Sequence, residues 1–368
     1  MPIRPRRALF LGLCLTACGA ADPPPEPPTP AVAVPAPTPT PSPLPPVVAD
    51  LHVDTVTAML SGEVGWDASA LEASLPRMQA GGVNVVVEAL WIERGVDDPF
   101  GRAVQKLKRV RSAVLQSQRQ AAIVTSPGQL EAVLREGRLA VVLALEGGTA
   151  LVEGEPALAE LRKLGVSMFG LTWSESSPLA DSSAEPRSPG GLTDAGRAAV
   201  AWCNSRGVMI DVSHMSDEAT GQTVQASTAP VIASHSNARA RCDVPRNLPE
   251  PLLQAIAGRG GLVGAMFHGP YVRVDRKASR PDVVSMIRSM VGSIGAAHVG
   301  IGSDWDGIIQ APVGLESADD LPALRSDLLA AGLDAEQVAA ISGGNFLRFW
   351  QAVWAAREDP SGAGSDAP

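Results

Sequence analysis

Cysteine is scarce in this chain of 368 residues, with four at positions 14, 18, 203 and 242. That is too few and too scattered for a disulfide framework or a CxxC metal cage, and Cys203 and Cys242 read as buried thiols rather than a bridge. Aromatic residues make up 4% of the chain, with one tyrosine, Tyr271. No long Lys/Arg run follows the extreme N-terminus and the net charge is −9. Phosphate binding needs a basic face, so a nucleic-acid partner is not expected and a small-molecule substrate fits better. GxSxG, HExxH, P-loop and dinucleotide fingerprints are all missing. What is abundant is apolar residue content, 45% against 19% charged, enough for one large core or two modest ones.

The ends of the chain differ from its body. Arg4, Arg6 and Arg7 precede a short apolar stretch at 8–15, the charge and length pattern of an export signal and too short to span a bilayer. Leu15-Thr16-Ala17-Cys18 resembles the bacterial lipobox, which implies lipidation of Cys18 as the mature N-terminus; an ordinary signal peptide cut nearby is the alternative. The expected location is the bacterial cell envelope, lipid-anchored at the outer membrane or periplasmic face. Thirteen of the 24 residues at 23–46 are proline, so 19–46 is expected to be an extended spacer, in which 23–46 alone would reach about 75 Å at ~3.1 Å per residue. Residues 358–368 are small and polar and read as a frayed tail.

Between these ends, residues 47–357 hold eight short apolar runs, at 47–53, 83–90, 139–145, 166–171, 208–212, 231–233, 262–267 and 299–302. Most are continuous rather than alternating, as in parallel strands covered on both faces. Segments at 71–78, 127–136, 193–206, 251–257, 283–294 and 321–330 carry helical periodicity, some opening on Ser/Thr caps and closing at glycine. Strand–helix alternation of this kind predicts an α/β fold, a (β/α)8 TIM barrel, with a doubly wound open sheet as the alternative.

Barrels of this type carry their chemistry at the C-terminal strand ends. Of five histidines, three (His52, His214 and His235) sit there, with Asp54 beside His52 and with Glu146 and Asp304 at other strand exits. His52 and Asp54, two apart on a strand, face one side and can share a metal. Imidazole and carboxylate without thiolate suit Zn²⁺. Five ligands exceed what one open tetrahedral site needs, whereas two ions sharing a carboxylate would use them all, and Glu146 is the best bridge because Gly147 and Gly148 allow close turns after it. His268 and His298 read as structural or exposed. Tyr271 and Trp91 read as either packing or pocket lining.

DLHVDT, LEGG, DVSH, ASHSNAR with CDVPRN, and GIGSDWDG followed by GGNFLRFW resemble, in order and spacing, the motifs of the membrane (renal) dipeptidases, peptidase family M19, over residues 48–356. The resemblance implies a metallo-dipeptidase of the metal-dependent hydrolase barrel type with two Zn²⁺ per chain. One ion is implied on His52 and Asp54, the other on His214 and His235, with Glu146 bridging and a hydroxide between the metals as nucleophile. It also implies that Arg246 holds the substrate's C-terminal carboxylate, a role suited to a guanidinium fork, with a surface salt bridge as the alternative. Asp304 is implied to contact substrate and move protons; otherwise it caps a loop. Dipeptides with a C-terminal D-residue fall within the implied range, and a homodimer is implied as the assembly.

One position departs from the motif. Where the animal enzymes carry a substrate-contacting histidine after Leu-Thr, this chain has Trp173. An indole cannot bind metal or exchange protons near neutral pH, so the implied metal set is untouched while the pocket is reshaped. Two other readings follow from that change: the same metal centre acting on a different amide, ester or lactam, or a metal-binding surface protein without activity.

Overall fold

The computed structural model describes residues 43–187, 190–308 and 310–358. The leader with Cys18, nearly all of the proline-rich stretch and all but the first residue of the tail lie outside the described residues. Nine strands form one parallel sheet: β1 (Ala49–Val53), β2 (Val85–Trp91), β3 (Ala121–Ile123), β4 (Leu139–Glu146), β5 (Val166–Gly170), β6 (Met209–Asp211), β7 (Ile232–Ala233), β8 (Leu262–Ala265) and β9 (Val299–Ile301). Eight follow the order β1-β2-β4-β5-β6-β7-β8-β9. Asp304 N donates to His52 O at 3.0 Å and Asp54 N to Trp305 O at 2.9 Å, which brings the exit of β9 onto β1 and makes a nearly closed (β/α)8 barrel.

Every barrel strand coincides with one of the eight apolar runs. The ninth, β3, is only Ala-Ala-Ile and pairs with the first half of the β4 edge that β5 takes over further along. Too short to carry a pattern, it was absent from the sequence expectation. The strands alternate as a closed sheet requires. Ala49, Leu51, Val85, Val87, Ala140, Val142, Ala144, Met168, Met209, Ile232 and Leu262 form an inner cluster, continued by Phe346, Phe349 and Trp350 of the C-terminal helix Asn345–Ala355. Outward-facing Val86, Val141, Leu143, Leu145 and Phe169 belong to the larger cluster shared with the surrounding helices.

Local chemistry sets the helix ends. Ser126 accepts from Gln129 N ahead of the helix Pro127–Arg135, and Thr193 accepts from Gly196 N ahead of the helix Asp194–Arg206, which stops at Gly207 with φ 66°. These are capping hydroxyls and a left-handed glycine stop. The expectation at 71–78 is corrected: the helix there is Leu75–Gly81. The Asp306 carboxylate takes the N–H groups of Glu72 and Ala73, holding the preceding residues in turns. The longest helix among the described residues, Pro99–Gln116, was also not anticipated. Among the described residues, no helix is long and apolar enough to cross a membrane, and Cys203 and Cys242 are free and buried.

Candidate metal centre

The mouth of the barrel gathers the polar residues that the strands deliver. Glu146 ends β4, continuing the inward series Ala140, Val142, Ala144. Its backbone needs room beyond it: Gly147 has φ 110°, and a Cβ on Gly148 would lie 2.1 Å from Leu171 O. On β1 the register against β2 slips between Asp50 and Val53. Leu51 packs inward, so uninterrupted alternation would turn His52 away; the extra residue of the bulge re-aims it. His214 and Asp304 follow β6 and β9 in left-handed backbone, φ 67° and 68°, a conformation costing on the order of 1–3 kcal/mol outside glycine and concentrated at functional sites.

These turns bring the five candidates together. Glu146 Oε2 lies 3.3 Å from His52 Nε2, while its Oε1 lies 3.0 Å from His214 Nε2 and 3.5 Å from His235 Nε2. Asp54 Oδ2 is 3.6 Å and Asp304 Oδ1 4.0 Å from His52 Nε2. The two Nε2 atoms of His214 and His235 are 2.9 Å apart. The sets His52/Glu146/His235 and His52/Asp54/Asp304 each have donor atoms within 4.8 Å of one another. His52 Nε2 and Asp54 Oδ1 are buried without hydrogen-bond partners. Buried polar atoms left unpaired are costly, and a cation there would satisfy them; the donor set therefore fits a metal.

A second layer fixes the rings, and sequence reasoning missed it. Asp211 accepts from Ser213 N, Ser234 N and the Ser234 hydroxyl. With its proton committed to Asp211, Ser234 Oγ can only accept, and it lies 2.8 Å from His235 Nδ1 and 3.2 Å from His52 Nδ1. Both imidazoles are then held through Nδ1–H with Nε2 facing Glu146, the atom that a metal would take. The only sequence signal was the polar string Ser213-His214 and Ser234-His235-Ser236 at two neighbouring strand exits.

Electrostatics follow from burial. Burial pulls the His214 imidazole down to about 4, helped by the Arg246 charge, and pulls His235 well below its ordinary value, helped by the charges of His52 and Arg246. For His52 burial acts in the same direction, but the carboxylates of Glu146 and Asp54 reverse it and hold the ring's proton more tightly than usual. Asp304 is pushed well above the carboxylate range by burial, with Asp54 and Glu146 adding to the effect.

Arg246 is buried beside this cluster. It donates to Ser236 Oγ at 2.9 Å and His235 O at 2.8 Å, and its Nε is left without a partner. The surface salt bridge is thereby corrected: the group lies inside, with a donor to spare. Tyr271 and His268 stack edge to face at 4.9 Å, and both lie within the electrostatic reach of Arg246. Asn237 and Asn247 hold Tyr271 O through their amides. His298 donates from Nδ1 to Gly261 O, 2.8 Å away, and is thereby bonded to the barrel's backbone rather than to the cluster. Trp173 is half-buried, its ring 4.9 Å from that of Trp91 and 6.3 Å from His214.

Comparison with known proteins places this arrangement in context. The model of the family described as membrane dipeptidase, peptidase family M19, matches residues 45–362. Dipeptidase aclJ of Aspergillus oryzae is 37% identical over 216 residues, 58% of this chain and 51% of that protein. Dipeptidase 3 of Rattus norvegicus is 35% identical over 230 residues, 61% and 47% respectively. The chain thus spans about half the length of the curated relatives it matches. Among solved structures, dipeptidase AC, a metallopeptidase of family M19, superposes with a TM-score of 0.79 at 24% identity, covering 84% of this chain and 98% of that one. A metallopeptidase from Rhodobacter sphaeroides, liganded with a phosphinate mimic of the dipeptide L-Ala-D-Ala, gives 0.78 at 23% identity, covering 84% and 99%. At these identities the two structures establish the shared fold.

Proposed function

The chain belongs to the membrane dipeptidase family, peptidase family M19, and on that premise we propose that it is an exported, lipid-anchored metallo-dipeptidase. Two Zn²⁺ ions would be held by His52 with Asp54 and by His214 with His235, bridged by Glu146. The observation that carries this reading is the division of the Glu146 carboxylate, one oxygen 3.3 Å from His52 and the other 3.0 Å from His214. When bound, the ions supply Lewis acidity for the scissile carbonyl and lower the pKa of an attacking water.

The protein's own residues do the rest. Arg246 receives the dipeptide's terminal carboxylate on its unpartnered Nε and remaining N–H groups, which limits substrates to peptides whose C-terminus lies one residue from the scissile bond. Asp304 accepts a proton from the attacking water on its carboxylate and returns it to the leaving amine; burial raises its pKa above the carboxylate range, which favours taking up and holding that proton. Carboxylate recognition by a fork does not depend on the configuration of the adjacent carbon, which supports acceptance of a C-terminal D-residue.

The test is metal content and turnover together, using Ala-L-Ala and Ala-D-Ala. Wild type is expected to hold two zinc ions, to hydrolyse both dipeptides, and to stop when chelated. Asp304→Asn should retain zinc and lose at least about 100-fold in turnover. A zinc-loaded protein that hydrolyses no dipeptide rejects the proposal.

A further inference from the structure

Trp173 and Trp91 flank the end of β4 from opposite sides. Trp91 is the register partner of Glu146 on β2, so both side chains leave the same face of the sheet, toward the mouth. Trp173 comes from the exit of β5, whose Gly170 is the register partner of Glu146 on the other edge. Their rings meet at 4.9 Å with planes tilted 58°, and each is half-buried, so the pair presents one continuous apolar surface to the mouth.

That surface is braced from behind. Lys106, fully buried, sits 4.9 Å over the Trp91 ring, donates to Trp91 O and to Thr57 Oγ1, and pairs with Glu93 at 3.1 Å. The loop after Trp91 is tied to the loop after Trp173 by Arg94, which pairs with Glu175 at 3.3 Å and with Glu185. Such bracing fixes an aromatic ring in place, which is what a selective apolar contact needs.

Arg246 packs on His235 and Ser236 at the exit of β7, which faces β2 across the circular strand order, so Trp91 stands opposite the carboxylate pocket. Trp173 leaves β5, two strands from β7, and extends that wall along one side of the mouth toward His214. A dipeptide with its carboxylate on Arg246 and its amide beside Glu146 directs its N-terminal residue at the two indoles. We propose that Trp91 and Trp173 form the subsite for the N-terminal side chain and give this enzyme a preference for dipeptides that begin with a large apolar or aromatic residue. This rests on the dipeptidase reading above.

The test compares Phe-Ala with Gly-Ala, and non-hydrolysable phosphinate analogues of the two, on the zinc-loaded full chain. The wild type should favour the Phe forms in kcat/KM and in calorimetric affinity by on the order of ten- to a hundredfold. In Trp173→Ala and in the ring-conserving Trp173→His, each checked for native circular dichroism, both ratios should fall to within about threefold of unity. Equal values for Phe and Gly forms in wild type, or ratios unchanged in both variants, overturn the proposal. If neither dipeptide is hydrolysed, the dipeptidase reading fails, and the affinity ratio for the phosphinates still decides the subsite.

Discussion

Ser234 carries one hydroxyl, which donates to Asp211 and accepts from two histidines that both direct Nε2 toward Glu146. Removing it frees two rings at once. Ser234→Ala is expected to fold normally and to lose roughly 10- to 100-fold in zinc affinity, the usual effect of deleting an outer hydrogen bond to a ligating imidazole, measured by competition with a chelator. An unchanged affinity would show that the hydroxyl does not set the tautomers. That His52, Asp54, Glu146, His214 and His235 converge was legible because three of only five histidines fell at strand exits together with carboxylates. Ser234 was not, since its role depends on Asp211, 23 residues earlier, and no local pattern links a serine to a carboxylate on the neighbouring strand. Cys203 is a second residue whose behaviour follows from its surroundings. Burial pushes its thiol up to about 12, so the reactive thiolate is scarce at pH 8. Iodoacetamide at pH 8 should leave Cys203 unlabelled in the native protein and modify it after unfolding, as read by peptide mass spectrometry; rapid native labelling would contradict the burial.

At the scale of elements, the loop after β9 is strapped to the turns at 72–74. Asp306 accepts from Glu72 N, Ala73 N and Thr55 Oγ1, and Asp306 N donates back to the Glu72 carboxylate. Burial, reinforced by the Asp306 charge, raises Glu72 to about 7 from an ordinary 4.5. A carboxyl whose folded pKa is raised contributes stability that is fully present below about pH 4.5 and lost as the pH rises through about 7. Glu72→Gln keeps an acceptor oxygen and removes the titration. Its melting temperature relative to wild type should therefore be higher at pH 8 than at pH 5, and an equal difference at both values would refute the assignment. The same strap explains why helical periodicity at 71–78 overreached. Leu71 and Leu75 have helical spacing, but the N–H groups between them are held by a residue more than 200 positions away, and a long-range acceptor overrides local propensity. The bulge in β1 was equally hidden, because DLHVD alternates in sequence whether or not the strand slips.

For the molecule as a whole, the eight barrel strands were legible because each is an apolar run buried on both faces, and their circular order explains how residues from 52 to 304 meet at one mouth. The opposite end of the barrel is closed by Phe346, Phe349 and Trp350, which join the inner cluster from the last helix. Trp350→Ala should cost about 3–5 kcal/mol of global stability, seen as a shifted denaturant midpoint; a loss below about 1 kcal/mol would mean that the helix is a peripheral addition rather than part of the core. Where the fold's own chemistry was not legible was in the pocket, since Trp91 and Trp173 lie 82 positions apart and only the register of β2 and β5 on β4 brings them into contact. The central claim concerns the mouth itself: that Glu146 is shared between two metal positions. Anomalous X-ray scattering at the zinc edge, from crystals of the zinc-loaded protein, tests it most directly. The account predicts two peaks on either side of the Glu146 carboxylate, one contacting His52 and Asp54 and the other His214 and His235. A single peak, or peaks that leave Glu146 out, would contradict it.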